Sequence, residues 1–154
     1  MISRVLQFVR LPYLLIALYA TLRFIIGVSG VPYAPRGNAM FSVVGVTLIS
    51  CLYFGALSGR VGGFTWLGAA LVGVSLGLFS QILVFGATVI SYLGNFETSY
   101  FRHWDALNVS EGTVVPMAKA MVTRLGGLVT NTIFGAIAAL IGRMLAGLAP
   151  QPAK

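Results

Sequence analysis

The stretch that decides the fold is residues 64–93, FTWLGAALVGVSLGLFSQILVFGATVISYL, which contains no charged side chain. A helix of this length would be about 45 Å long, whereas the hydrocarbon core of a bilayer is roughly 30 Å thick. Backbone polar groups in lipid must bond to one another, so this segment predicts a transmembrane helix that tilts or projects beyond the lipid.

Three further apolar segments are long enough to cross a bilayer: residues 6–29, 39–57 and 125–148. Pro12 stands near the start of the first segment, where a missing backbone N–H does little harm. Pro116 also suits a first helical turn, so the alternative for the last segment is one long helix that starts there with its first turns outside the lipid. The predicted fold is all-α, a polytopic membrane protein with a single four-helix transmembrane domain over residues 1–154. Residues 94–124 are predicted to form an interfacial loop between the third and fourth helices.

Composition excludes a soluble globular protein. Of the 154 residues, 58% are apolar and 8% are charged, with a mean hydropathy of +0.93. Soluble domains contain roughly 45–50% apolar and about 25% charged residues. The single cysteine, Cys51, rules out an intramolecular disulfide and any multi-cysteine metal or redox site, and we interpret it as a small apolar filler.

The net charge of +7 comes from ten basic and three acidic residues. The basic residues stand singly between apolar runs, which is not the pattern of a nucleic-acid surface, so membrane lipids, anionic ones among them, are the expected partners. Four spans place both termini on one side of the membrane and divide the Lys and Arg residues equally, five to a side. The segment that begins Met1-Ile2-Ser3-Arg4 is interpreted as a retained signal anchor, which favours cytoplasmic termini.

Small and polar residues mark one face of the third and fourth spans, as is typical of helices that pack closely in lipid. The predicted packing residues are Gly73, Gly77, Gln81 and Thr88 on the third span, and Gly127, Asn131, Gly135, Ala138 and Gly142 on the fourth. The pairs Gly55/Gly59 and Gly73/Gly77 also match the GxxxG spacing. Depth matching predicts a hydrogen bond between Thr88 and Asn131, with Gln81 facing Ala138.

The predicted loop differs in composition from the rest of the chain, because it holds all three acidic residues and the only histidine. Its aromatic rings are expected at head-group depth and its charges in water. The predicted contact site for a partner protein consists of Tyr100, Arg102, His103, Trp104 and Asp105, since aromatic residues and arginine are favoured at interface cores. Simple anchoring of the rings at the membrane interface is the alternative.

No catalytic, cofactor-binding or metal site is predicted. Glu97, His103 and Asp105 are the only residues of suitable types that lie near one another in the sequence, and zinc normally takes three protein ligands or more. We therefore expect a non-catalytic accessory or scaffold subunit that binds other integral membrane subunits or itself. One alternative is a small oligomeric channel or transporter with a polar path between protomers near Gln81, Thr88 and Asn131, for which Arg23 is a further candidate. Another is an interfacial enzyme, which requires Glu97, His103 and Asp105 to converge.

Overall fold

The computed structural model describes residues 1–33 and 42–147, and within these ranges the protein is helical with no strand. Four helices are long and apolar enough to cross a membrane, so the predicted all-α, four-helix fold is confirmed. The helices are α1 (Ile2–Phe8), α2 (Arg10–Val28), α3 (Val43–Arg60), α4 (Trp66–Leu93) and α5 (Met117–Ala146), with a short 3₁₀ helix at Asp105–Leu107.

The helix bounds differ from the predicted spans at both ends of the chain. Val9, with φ −97° and ψ 15°, separates α1 from α2, so the first span is two helices. The last helix begins at Met117 rather than at residue 125, and the loop therefore ends at Pro116 instead of 124. The bound at residue 125 was wrong because Lys119 and Arg124 were placed in water, whereas the alternative of one long helix that starts near Pro116 agrees with the structure. Residues 39–41 and 148, at the edges of two predicted spans, lie outside the described ranges.

Side-chain oxygens fix the start of two of the spans. Ser42 Oγ accepts a hydrogen bond from the backbone N–H of Gly45 at 3.0 Å, and Thr65 Oγ1 accepts one from Gly68 at 3.3 Å. Each of these N-caps satisfies one donor in a first turn that has no acceptor within its helix. Pro116 occupies the N-cap of α5, because its own missing N–H costs nothing at that position.

Helix α4 is central to the bundle. It packs against α3 and α5, which also contact each other, and against α1 and α2 on its other side. Helix α2 contacts α3 and α4 but not α5 within the described residues. The main core includes Val9, Ile16, Cys51, Val72, Leu76 and Ala139. The loop and the start of α5 form a second, smaller core around Leu107, Val115 and Ala120.

Close backbone contacts hold α5 against α3 and α4. A methyl group at Gly73 would overlap the carbonyl oxygen of Gly135, and one at Gly77 would lie 2.9 Å from the carbonyl oxygen of Asn131. A methyl group at Gly142 would overlap the carbonyl oxygen of Leu52. The predicted small-residue faces of the third and fourth spans thus lie against each other in this part of the bundle.

Candidate functional site: a basic cleft at the loop end of the bundle

The loop between α4 and α5 is folded against the bundle rather than extended at its surface. Ser99, Tyr100, Phe101 and Leu107 are buried. The Ser91 and Ser99 hydroxyls lie 2.6 Å apart. The backbone of Tyr100 passes so close to Gly27 of α2 that a methyl group there would lie 2.7 Å from the Tyr100 nitrogen. The loop therefore forms a wall of the protein interior.

Arg124 ties this loop to two helices. From α5, its Nε donates to Thr88 Oγ1 of α4 at 3.0 Å. Its Nη1 donates to the Ala106 carbonyl oxygen at 2.9 Å, and its Nη2 to the Phe101 carbonyl oxygen at 3.0 Å. The guanidinium is therefore well hydrogen-bonded. Because all three acceptors are neutral, none of them compensates its positive charge.

Tyr33 forms a second connection between the segment after α2 and the loop. Its ring stacks on His103 with 3.9 Å between ring centroids, and its hydroxyl donates to Asp105 Oδ2 at 3.2 Å. Arg23 lies 5.4 Å from the ring centroids of both Tyr33 and Tyr100, and donates to the Tyr33 hydroxyl at 3.4 Å. Burial raises the pKa of Tyr33 above its usual 10.0, in spite of the opposing effect of Arg23, so this hydroxyl stays protonated and donates.

These groups surround a cavity of about 220 Å³, which we call the basic cavity. Its lining includes Arg23, Tyr33, Tyr100 and Arg124, together with residues 42–44 at the start of α3. The first N–H groups of a helix lack intrahelical acceptors and carry the positive end of its dipole. Two guanidinium groups and a helix N-terminus therefore bring positive charge to one cavity.

A second cavity of about 380 Å³, which we call the polar cavity, adjoins the first. The two cavities share four lining residues, Val44, Val84, Ala106 and Arg124. Neutral polar side chains dominate the rest of its lining, namely Gln81, Asn108, Thr123, Thr130 and Asn131. We call the two cavities together the cleft.

The cleft is closed at its inner end. Gly77 contacts the backbone of Asn131 and Thr132, and one turn further along α4 the backbones at Gly73 and Gly135 are in contact. Gln81 lies about 18 Å along α4 from its end at Leu93, close to the middle of this helix. The cleft thus extends from the loop towards the middle of the bundle and stops there.

The predicted packing residues fall into two groups. Gly73, Gly77, Gly135 and Gly142 lie at backbone contacts, and Ala138 packs partly buried against the core. Gln81, Gly127 and Asn131 line the polar cavity.

The depth matching of α4 and α5 was wrong. Thr88 bonds to Arg124 and not to Asn131, while Gln81 lies beside Gly127, about three turns from Ala138. The cause is the start of α5: a helix that begins at Met117 meets α4 earlier than one that begins at residue 125.

The five predicted partner contacts all have neighbours within the chain. Arg102 lies 4.6 Å from the ring centroid of Tyr92, and the rings of His103 and Trp104 are 5.0 Å apart. Asp105 accepts from Tyr33, as described above. Tyr100 is only 8% exposed and donates to the Pro32 carbonyl oxygen at 3.2 Å. Tyr100 is therefore an internal residue, and a partner contact stays a prediction for the other four.

The residues required by the enzyme hypothesis do not form a metal site. The backbone N–H of Asp105 lies 3.3 Å from His103 Nδ1, whereas Glu97 is exposed. In residues 1–33 and 42–147 there is no group of three or more His, Cys, Asp or Glu residues able to hold a metal ion.

Sequence reasoning missed Tyr33 and Arg124 as site residues, whereas Arg23 was a candidate only for the path of the channel alternative. The position of Arg124 did carry a signal, since an arginine seven residues into a long apolar helix is an ionisable group at membrane depth. Tyr33 carried none, because its role depends on a ring-to-ring contact across 70 positions of the chain.

Comparison with known proteins gives no match: no protein family matches the chain, no curated protein is similar to it, and no solved structure matches its fold.

Proposed function

We propose that this is a non-catalytic membrane protein that binds an anionic group in the basic cavity. The observation that carries the proposal is the convergence of Arg23, Arg124 and the N-terminus of α3 on one cavity. Guanidinium groups and helix N-termini are both common binding groups for phosphate and carboxylate.

Electrostatics favours an occupant of negative charge. Two like charges beside one cavity repel each other, and the repulsion is stronger in a low dielectric than in water. Each of the three guanidinium nitrogens of Arg124 donates to a neutral oxygen, and these bonds do not neutralise its positive charge. An anion between Arg23 and Arg124 would compensate both charges, and the Tyr33 and Tyr100 hydroxyls lie on the same cavity wall.

The test is the binding of two probes, inorganic phosphate and dioctanoyl phosphatidic acid, to the purified full chain, measured by calorimetry. We expect saturable binding of at least one probe, weakened about tenfold or more by Arg23→Gln, which corresponds to about 1.4 kcal/mol. Lys119→Gln is the control, because it removes the same charge from an exposed position in the first turn of α5. Equal affinity in the wild type and Arg23→Gln, or no binding of either probe, would overturn the proposal.

The channel or transporter alternative is a weaker proposal than anion binding. The polar-path alternative needs a route across the whole membrane, and Gln81 and Asn131 do line a polar cavity. The backbone contacts at Gly73 and Gly77 close this cavity between α4 and α5. A channel would have to form between copies of the chain.

The accessory-subunit function is a second proposal, and the outer face of α5 favours it. This helix contacts only α3, α4 and the 3₁₀ helix within the described residues, and its exposed side is apolar, with Val122, Val129, Ile133 and Ile141. A methyl group added at Gly126 on the same side would have no neighbour within 4 Å, so another helix could approach closely there. Native mass spectrometry after extraction in mild detergent tests this: stoichiometric foreign subunits support it, and a homo-oligomer contradicts it.

For the orientation, we keep cytoplasmic termini as the proposal. Arg4 and Arg60 are exposed at the end of the bundle that carries the N-terminus, whereas at the other end Lys119 is exposed and Arg23 and Arg124 line an internal cavity. Surface cations near the ends of the spans favour the cytoplasmic side. Protection of an N-terminal tag from protease in intact cells is the expected result, and its cleavage would reverse the orientation.

A further inference from the structure

We infer that the bound anion is the phosphodiester of a membrane lipid whose head group carries hydroxyls. Its phosphate lies in the basic cavity and its head-group hydroxyls lie in the polar cavity. This inference rests on the proposed function, because it names the ligand class of the same cleft.

The polar cavity has the chemistry of a polyol site. Gln81 is only 4% exposed, and neither its amide nor that of Asn131 has a hydrogen-bond partner in the part of the chain that the structure describes. Each amide both donates and accepts, as hydroxyl groups do. Asn131 is partly exposed, and both side chains line the polar cavity, so a ligand with hydroxyl groups can bond to both amides there whereas an apolar ligand cannot.

Gly127 provides the space between these two amides. A methyl group at this position would lie 3.5 Å from Gln81 Oε1 and 3.7 Å from Asn131 Nδ2, which is ordinary contact distance. Any larger side chain would fill the cavity between the amides. The absence of a side chain therefore leaves room for a small hydroxylated group where both amides reach it.

The depth of the basic cavity suits a lipid phosphate. Arg124 lies about 10 Å along α5 from its start at Met117, and Thr88 lies about 8 Å along α4 from its end. Helix α4 is about 42 Å long against a hydrocarbon core of roughly 30 Å, so these residues lie near the boundary between head groups and hydrocarbon.

The polar cavity also opens towards lipid. Val44 of α3 and Thr130 of α5 both line it, and both are exposed on the outside of the bundle. Further along, α3 and α5 are in backbone contact where Gly55 meets Ala139. The gap between the two helices therefore lies on the loop side of that contact, and acyl chains can leave through it while the head group stays inside. A soluble phosphate ester has no need of such a lateral opening.

The experiment compares three probes on the purified full chain: dioctanoyl phosphatidylglycerol, dioctanoyl phosphatidic acid and free glycerol phosphate. We expect phosphatidylglycerol to bind about tenfold more tightly than either of the others, since each contributes only part of the ligand. Gly127→Ala narrows the polar cavity and should remove the preference for phosphatidylglycerol over phosphatidic acid. Gly126→Ala is the matched control, because the adjacent glycine faces outward and has open space around it.

Each outcome separates the inference from the function on which it rests. Equal affinity for the two lipids, or a preference that survives Gly127→Ala, overturns the polyol assignment. Glycerol phosphate binding as tightly as phosphatidylglycerol shows a soluble ligand and overturns the lipid assignment. In these cases Arg23-dependent binding of phosphatidic acid would still support an anion site. Loss of Arg23 dependence for every probe would instead overturn the proposed function.

Discussion

Arg124 shows how one charged residue is accommodated in an apolar helix. Its three donor nitrogens bond to oxygens on α4 and on the loop, so the guanidinium organises the wall of the cavity that it also charges. An arginine at this depth is costly without partners, and here the folded loop supplies them. The same side chain therefore links α5 to the loop, and in the proposed site it is also a binding group.

Arg124→Gln is expected to lower the free energy of unfolding by about 2–4 kcal/mol, because hydrogen bonds to charged groups are worth more than neutral ones and buried acceptors lose their donor. The loss should be concentrated in residues 99–107, since two of the three bonds end there. Hydrogen exchange followed by mass spectrometry measures both effects. The free energy of unfolding of Lys119→Gln is expected to stay within about 0.5 kcal/mol of the wild-type value. Unchanged hydrogen exchange in residues 99–107 would contradict the proposal that Arg124 stabilises the loop.

His103 gives the loop a pH dependence with a definite sign. Burial lowers the pKa of His103 below its usual 6.5, more than the nearby Asp105 carboxylate raises it. The unfolded chain therefore binds a proton more readily than the folded one just below pH 6.5, so stability falls as the pH falls from there.

Trp104 fluorescence reports this titration, since a protonated imidazole quenches a nearby indole and the two rings are 5.0 Å apart. We expect a fluorescence decrease with a midpoint below pH 6.5 that is absent from His103→Asn. A midpoint at or above 6.5 in the folded protein would show that Asp105, and not burial, dominates the environment of the ring.

Among the helices, the contact of α4 with α5 depends on positions where only hydrogen fits. Gly73→Ala places a methyl group against the Gly135 carbonyl, and separating the helices to relieve this overlap should cost about 1–3 kcal/mol. Gly86→Ala is the matched control on the same helix, where a methyl group has no neighbour within 4 Å. That variant should be unchanged or up to about 1 kcal/mol more stable, as expected from helix propensity. Thermal unfolding in detergent compares them, and equal stabilities would contradict this packing.

The helices themselves were predictable because they depend on local properties. Residues 64–93 lack charge over a length that only a membrane helix suits, and α4 begins only two residues later than predicted. The α4–α5 alignment was not predictable, since it depends on where α5 begins. Pro116 did indicate the earlier start, but the depths were matched from residue 125. The bonds that accommodate Arg124 come from a loop fold that the sequence pattern does not encode.

For the whole molecule, the closed inner end of the cleft means that water-soluble reagents can reach the cleft only from the loop side of the membrane. In a Cys51→Ser background, Thr130→Cys should react with a membrane-impermeant, negatively charged thiosulfonate from the loop side of sealed vesicles only. Ala138→Cys lies beyond the closure, packed against the core, and should react from neither side. Labelling is read by intact mass. Reaction of Ala138→Cys would show that water passes the Gly77 contact and would favour the channel alternative.

The site as a whole was predictable only in part. Gln81, Gly127 and Asn131 were identified as polar or small positions on facing helices, and they do share a cavity. Tyr33 and Arg124 were not identified, because the basic cavity is assembled from α2, α3, α5 and a folded loop. Positive charges that converge from three separate helices leave no spacing in the sequence by which to find them.

The bonds of Arg124 also bear on how the chain is made. Thr88, Phe101 and Ala106 all precede Arg124 in the sequence, so each acceptor has left the ribosome before the guanidinium does. Nascent α5 therefore meets an already synthesised α4 and loop when it enters the bilayer. A circular permutation that placed α5 at the amino terminus would reverse this order of synthesis. Arg124 would then reach the insertion machinery before any of its hydrogen-bond acceptors existed.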